Sequence, residues 1–319
     1  MVYGVNKTGT TAAKFLSIEV GSNAVGMGGA YTSIANDATA MYWNPAGLSF
    51  HDTKEVYFNH ANWIADISFD YFGITFPMNN KSVLGFNLTS VTMDEMEVTR
   101  YGNENTGETF RAADYAIGST YALNLTDRFS VGFNGKYIQQ SIANSHAKGF
   151  ALDFGTLFIT PFGFTLGTSI SNFGPKLRMS GDDLLIGADV DENIEGNNES
   201  VTGILSTDYF DLPLVLRIGI SDQFQMGPRN QIIISADAIS PNDNANYINA
   251  GLKLQLLDGL ISLYAGANSL FLDNAESEFS FGCGITIPQI LNNSLSVHFT
   301  HEQMKFLGNS QQLSISFNY

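Results

Sequence analysis

The side chains able to do chemistry are few and scattered. The chain carries 5 histidines and 1 cysteine in 319 residues, and only His298-Phe-Thr-His301-Glu302 groups them closely enough to suggest metal-ligand spacing. On a strand that spacing fails, because residues three apart face opposite sides, so His298 is expected to face inward and His301 outward. His51, His60 and His146 fall at expected strand ends or loops, and no serine has a histidine and a carboxylate placed beside it by any readable pattern. Cys283 by itself allows neither an intrachain disulfide nor a Cys-rich metal site. Gly26-Met27-Gly28-Gly29 lacks both the preceding βαβ unit and the Lys-Ser/Thr ending of a nucleotide loop. No catalytic residue and no cofactor is therefore expected. The carboxylates Asp189, Asp191, Glu192, Glu195 and Glu199 lie in a stretch with no Lys or Arg between Arg178 and Leu212. Clustered carboxylate oxygens suit a hard cation such as calcium. Their spacing matches no EF-hand loop, so a solvated acidic loop stands ahead of a metal site, with docking of a partner left open.

The elements that carry these residues are set by composition and period. Charged residues make up 14% of the chain, against about 25% in ordinary globular proteins. Gly (31), Phe (24) and Tyr (13) are abundant, and a hydrophobic content of 44% excludes a disordered chain. A formal charge of −16 repels phosphate backbones, which excludes nucleic acid as a partner. No window reaches about 18 uninterrupted apolar residues, so no membrane helix is expected. The start MVYGVNKTGTTAAKF lacks the basic and apolar regions of a signal peptide, leaving a cytoplasmic protein or a mature chain after signal removal.

Periodicity favours the second. Leu313, Ile315, Phe317 and Tyr319 alternate with Ser314, Ser316 and Asn318, and the same alternation runs back through Leu295–Phe299, Phe279–Ile287, Ile261–Ala267, Ile248–Leu254, Phe129–Phe133 and Tyr115–Leu123. The second face is almost everywhere Gly, Ser, Thr, Asn or Ala, where a soluble sandwich would show Lys and Glu. Apolar-outward, polar-inward segments of about 10 residues are the pattern of a transmembrane β-barrel. About fourteen strands are expected, giving a single antiparallel outer-membrane barrel over residues 51–319 with a long acidic exterior loop at about 172–211. Ile67, Phe69 and Tyr71 change phase to Phe72, Ile74 and Phe76, which implies a bulge or a covered inner face. Asp153, Lys136, Lys253, Arg217 and Asp237 read as paired charges in the lumen. Tyr115, Tyr121, Tyr137, Tyr247, Phe50 and Tyr319 read as outward interface aromatics.

Alternation fails over residues 1–50. AAKFLSIEVGSNAVGMGGAYTSIANDATAMYWNPAGLSF is rich in small residues and glycines, suits short helices and turns, and reads as a helical and looped hatch in the lumen. Asn44-Pro45 and Gly47 turn the chain into the first strand. Residues 13–49, above all Gly26-Met27-Gly28-Gly29-Ala30, Asn36-Asp37-Ala38 and Tyr42-Trp43-Asn44-Pro45-Ala46-Gly47, resemble the N-terminal signature of the PorV/PorQ proteins of the FadL-like group. The resemblance implies a fourteen-stranded barrel in the bacterial outer membrane, among its lipid and lipopolysaccharide, plugged by that segment. For PorV-like members it implies type IX secretion: binding the C-terminal signal domain of secreted cargo and associating with the large translocon barrel and the surface attachment complex. For FadL-like members it implies passage of hydrophobic molecules.

Inward positions offer little apolar lining, which leaves Phe15, Leu16, Met27, Met41 and Trp43 as candidate lumen contacts for a ligand, with packing between hatch and wall as their simpler role. The large loops supply surface for protein partners. The expectation is a non-enzymatic, PorV-like partner-binding barrel, with a FadL-like conduit and a structural brace as the other readings.

Overall fold

The computed structural model describes residues 9–103, 106–189, 201–272, 275–288 and 293–319. Fourteen long strands form one antiparallel sheet closed on itself. In chain order they are Glu55–Asn62, Ser68–Asn79, Ser82–Thr92, Ala112–Thr126, Phe129–Ile142, Ser145–Ile159, Thr165–Phe173, Val215–Gln225, Gln231–Pro241, Tyr247–Leu256, Ile261–Leu270, Ser277–Pro288, Ser294–Met304 and Asn309–Asn318. Each pairs with its neighbours in sequence, and closure comes from the first strand pairing with the last, from Glu55↔Asn318 to Asn62↔Gln311. Closure matters because no water in the bilayer core could satisfy an unpaired strand edge. Among the described residues no helix is long and apolar enough to cross a membrane.

Local chemistry sets the tight turns. Asn79 Oδ1 accepts from the Lys81 and Ser82 amides at 2.8 and 3.0 Å, folding the second strand onto the third. Thr126 Oγ1 does the same for the Arg128 and Phe129 amides. These short connections share one rim with the start of the first strand and the end of the last. The opposite rim carries the long connections, and by the usual asymmetry of such barrels it faces the cell exterior. The longest of them pairs Leu185–Ala188 with Val201–Ile204. It also returns to the barrel mouth, where Leu177 and Phe210 exchange backbone hydrogen bonds.

Outward and inward faces follow the sequence alternation: Phe133, Phe154, Ile218, Phe281 and Ile315 are exposed on the outside, while Thr120, Asn134, Asp153, Thr300 and Ser314 are buried within. The phase change at Phe69–Phe76 is not a bulge. The second strand keeps continuous register with the first, from Glu55↔Thr75 to Asn62↔Ser68. Phe69 and Tyr71 instead face inward and are fully buried, so the inner face is covered there. Two of the aromatics expected at the outer interface are placed differently. Tyr247 shares the inward phase of Asn249 and Gly251, and Phe50 ends the Pro45–Phe50 turn outside any barrel strand.

The core lies inside the barrel. Val20, Ala24, Met27, Tyr31, Met41, Trp43 and Leu48 of the N-terminal segment pack against Tyr57, Phe69, Tyr71, Val83 and Tyr264 of the wall. A second cluster at the exterior mouth joins Ala13, Phe15 and Leu16 to Ile138, Ala147, Leu177 and Leu212. Lipid covers the outside, so polarity there is selected against: Phe133→Arg is expected to lower the unfolding free energy in a reconstituted bilayer by about 2–4 kcal/mol. Tyr101→Arg, in an exterior loop, is expected to leave urea unfolding followed by tryptophan fluorescence unchanged.

Candidate functional site

Two short α-helices, Ser22–Gly26 and Ala40–Trp43, and two 3-10 turns, Lys14–Ser17 and Pro45–Phe50, order the N-terminal segment. None is long enough to be stable alone. Wall side chains hold them by their backbone. Asp237, fully buried, accepts from the Tyr31 and Thr32 amides at 3.0 and 2.8 Å. Glu55 Oε2 accepts from the Ala38 amide at 2.7 Å. Ser314 Oγ accepts from the Ser22 amide, and the Thr300 hydroxyl donates to the Ser22 carbonyl. Ser235, Asn134 and Asn124 donate to the carbonyls of Ala30, Met41 and Ser49. This explains the polar inner face: its Ser, Thr, Asn and Asp residues satisfy segment backbone that would otherwise be buried unpaired.

The glycines work by absence of a side chain. Gly28 and Gly29 have φ of +66° and +69°, a region that other residues rarely adopt. A Cβ on wall Gly266 would collide with the Gly28 backbone, one on Gly251 with Met27, and one on Gly132 with Pro45 and Ala46. Segment and wall therefore touch backbone to backbone. Asn44 fixes the turn: Nδ2 donates to the Thr32 and Thr156 carbonyls at 2.8 and 3.0 Å, and Oδ1 accepts from the Ala46 amide. Gly47 fits against the Ala35 carbonyl. Gly26, Gly28, Gly29 and Ala30 thus meet the wall around Tyr264, Asn268 and Ser235. Asn44, Pro45 and Ala46 meet it around Gly132 and Gly155, while Gly47 packs within the segment.

Of the five lumen charges expected to pair, Lys136 and Asp153 form an ion pair, whereas Asp237 accepts from segment amides and Lys253 Nζ stands 5.7 Å from the Tyr264 ring centroid. Lys136 Nζ lies 2.9 Å from Asp153, which also accepts from Asn134 and from the Asn172 amide. The Arg217 guanidinium stands 5.4 Å from the ring centroids of both Tyr42 and Trp43 and donates to Ser171, a desolvated cation–π contact worth about 2 kcal/mol. Sequence reasoning missed Glu55, Tyr57, Asn124 and Ser235 as seats for the segment, and Asn59, which accepts from the Ser314 hydroxyl behind one such seat. The one signal for Glu55 was a charged residue in an inward phase. Burial pushes the Glu19 carboxyl up to about 8, helped by Glu302 and opposed by Arg217.

The candidate ligand contacts divide. Trp43 and Met27 are fully buried in packing, with Trp43 Nε1 donating to the Val20 carbonyl at 2.8 Å. Leu16 and Met41 border a cavity of about 10 Å³, too small for any ligand. Phe15 also borders a larger apolar cavity of about 330 Å³ with Lys14, Ile18, Trp63, Ile67 and Val91. At the short-turn rim a polar cavity of about 240 Å³ is lined by Asn23, Asp37, Glu55, Lys253 and His298. His298 and His301 are not brought together: His298 Nδ1 meets Tyr264 Oη at 2.9 Å, and His301 lies outside against Phe281, with ring centroids 5.1 Å apart. Of the acidic-loop residues, Asp191, Glu192, Glu195 and Glu199 lie outside the described residues and Asp189 stands at their edge. Among the described residues no group of three or more His, Cys, Asp or Glu could hold a metal.

Comparison with known proteins places this geometry. The family profile described as type IX secretion system protein PorV matches residues 4–184, more than half of the chain, and the chain belongs to that family. Its fold is similar to the toluene transporter TodX of Pseudomonas putida, with 12% identity, a TM-score of 0.60, and coverage of 94% of this chain and 97% of that one. It is also similar to a FadL homologue of Pseudomonas aeruginosa (14%, TM-score 0.53, 94% and 98% covered) and to the toluene transporter TbuX of Ralstonia pickettii (11%, 0.58, 94% and 97%). No curated protein sequence matches. At these identities the structural likeness establishes the fold alone, that of the FadL-like β-barrels.

Two outcomes follow for the segment. Asp237→Ala leaves two buried amides unpaired at about 1–3 kcal/mol each, so limited proteolysis within residues 13–50 is expected to accelerate while the barrel stays heat-modifiable on gels. Glu19 has a folded pKa raised from 4.5 to about 8, so its contribution favours the seated segment below pH 4.5 and is lost as pH rises through 8. Hydrogen exchange of residues 15–30 is expected to quicken from pH 6 to pH 9 after correction for intrinsic rates, and Glu19→Gln to flatten that increase.

Proposed function

We propose that this PorV-family barrel is a non-enzymatic component of type IX secretion that works by binding protein partners at the outer membrane: secreted cargo through a C-terminal signal domain, the large translocon barrel, or the surface attachment complex. The supporting observation is the filling of the lumen. The segment from Ala13 to Phe50 is packed against the wall by two apolar clusters and by hydrogen bonds to its backbone. The exterior mouth is further covered by Leu177 and Leu212 of the longest loop. A barrel so occupied is a rigid platform whose free surfaces are loops and wall.

A second reading, a FadL-like conduit for hydrophobic molecules, is favoured by one feature, the apolar cavity bordered by Phe15, Ile18, Trp63, Ile67 and Val91 with Lys14 at its edge. It suits a small apolar or amphiphilic molecule. The two readings separate in a mild-detergent pull-down of the tagged chain from its native membrane, with mass spectrometry of proteins and of extracted lipids. Recovery of a translocon-sized barrel or of proteins sharing a C-terminal signal domain is the expected outcome. Recovery of the barrel alone with one defined hydrophobic molecule, displaced by Val91→Trp, would overturn it in favour of the conduit.

A further inference from the structure

The outer wall is not uniformly fit for lipid. On one side the outward residues, Gly135 and Thr156 apart, are apolar over eight positions of each strand: Phe129, Val131, Phe133 and Tyr137 on the fifth, and Phe158, Phe154, Leu152 and Phe150 on the sixth. On the other side the apolar rows stop early. The first strand shows Val56 and Phe58, then His60 and Asn62. The second shows Met78, Phe76, Ile74 and Phe72, then Asp70. The fourteenth row, with Tyr319 just past the strand's end, shows Tyr319, Phe317, Ile315 and Leu313, then Gln311, and the thirteenth shows Leu295, Val297 and Phe299, then His301 and Gln303.

Register makes these polar residues one patch. His60 is opposite Asp70 and next to Leu313, Asn62 is opposite Gln311, and Gln311 is opposite His301. The group is tied together: His60 Nδ1 meets Asp70 Oδ1 at 2.8 Å and its Nε2 meets Asn62 Oδ1 at 3.3 Å. Both members of the His60–Asp70 pair remain more than a third exposed.

Height decides what this means. A tilted strand climbs about 2.6 Å along the membrane normal per residue, so an apolar band about 25 Å tall needs about ten residues. Tyr319 to Leu313 covers six, about 16 Å. His60 sits four residues above Val56, so it lies within the height that apolar residues cover on the far wall. An ionisable pair facing hydrocarbon is costly and, in a membrane protein, marks a functional position. Lipopolysaccharide headgroups do not account for it. They present phosphates, which call for Lys or Arg, and this patch has Asp70 and no Lys or Arg. Amides and imidazoles in fixed rows on a flat sheet suit the polar side chains of a protein.

We propose that the outward face of the thirteenth, fourteenth, first and second strands, centred on His60 and Asp70, docks against the wall of a second outer-membrane protein whose facing side chains are hydrogen-bonding residues. This rests on the partner-binding reading and says which face the partner takes.

The test places photoreactive benzoylphenylalanine at Asn62 or Gln311, and at Leu152 on the far wall, in the full chain in its native outer membrane. Irradiation is expected to give a protein adduct of one defined mass from positions 62 and 311, at least tenfold above position 152, and His60→Leu with Asp70→Leu in the same chain is expected to reduce it at least tenfold. Equal adducts from all three positions, or lipid adducts alone, overturn the proposal. An adduct of twice this chain's mass overturns it in favour of a second copy. If the double variant fails to assemble, the contrast between positions 62 and 152 still decides. Partners recovered by pull-down without adducts at 62 and 311 overturn the face alone, whereas absence of both also removes the reading it rests on.

Discussion

A sheet of fourteen strands closed on itself encloses more space than its own side chains can fill. Eight strands suffice for side chains to meet across the middle, while sixteen or more leave an open channel. This barrel lies between those limits, and residues 13–50 resolve the problem by acting as the core. The usual arrangement is inverted as a result. Apolar side chains of the strands point to lipid, and the segment inside is held largely through its main chain, by Asp237, Glu55, Ser314, Thr300 and Asn134. Each seat must match one amide or carbonyl, so the polarity of the inner wall is a hydrogen-bonding surface for that segment rather than a wetted pore lining.

The same constraint explains the composition. Where wall and segment approach backbone to backbone, at Gly132 against Pro45 and Gly266 against Gly28, a single methyl group is excluded. Where the gap is wider, Tyr57, Tyr71 and Tyr264 reach inward to close it. Small and aromatic residues are thus two answers to one variable, the distance from wall to plug.

Strand existence and facing were legible because the contrast between lipid and lumen writes a period of two into the chain. Legibility failed where the inner face also turned apolar. Phe69 and Tyr71 look outward by hydropathy, and only the buried segment opposite them makes the inward placement favourable. The motif residues Asn44, Pro45 and Gly47 could be singled out in sequence as a turn, but their partners Thr32, Thr156 and Ala35 could not, because those contacts span up to 112 positions and involve backbone atoms that carry no sequence signal. By sequence His60 falls at a strand end or loop. Its pairing with Asp70 depends on the register between strands, which hydropathy leaves free.

Filling the lumen shifts any recognition to the outside of the barrel, and there the two walls differ. A barrel designed only to sit in lipid would keep its apolar rows equal all round, since each polar residue at that depth destabilises it. Here the shortened rows occupy contiguous strands at the seam where first and last meet, and they end in a bonded trio rather than in scattered polar residues. Scattered polarity would read as a lower rim. A trio whose members satisfy one another at 2.8 and 3.3 Å can stay folded while its partner is absent, yet it still presents Asp70, Asn62 and Gln311 to whatever adjoins it. An internally paired polar patch at membrane depth is therefore compatible with a partner that comes and goes, which an unpaired charge at the same place would not be.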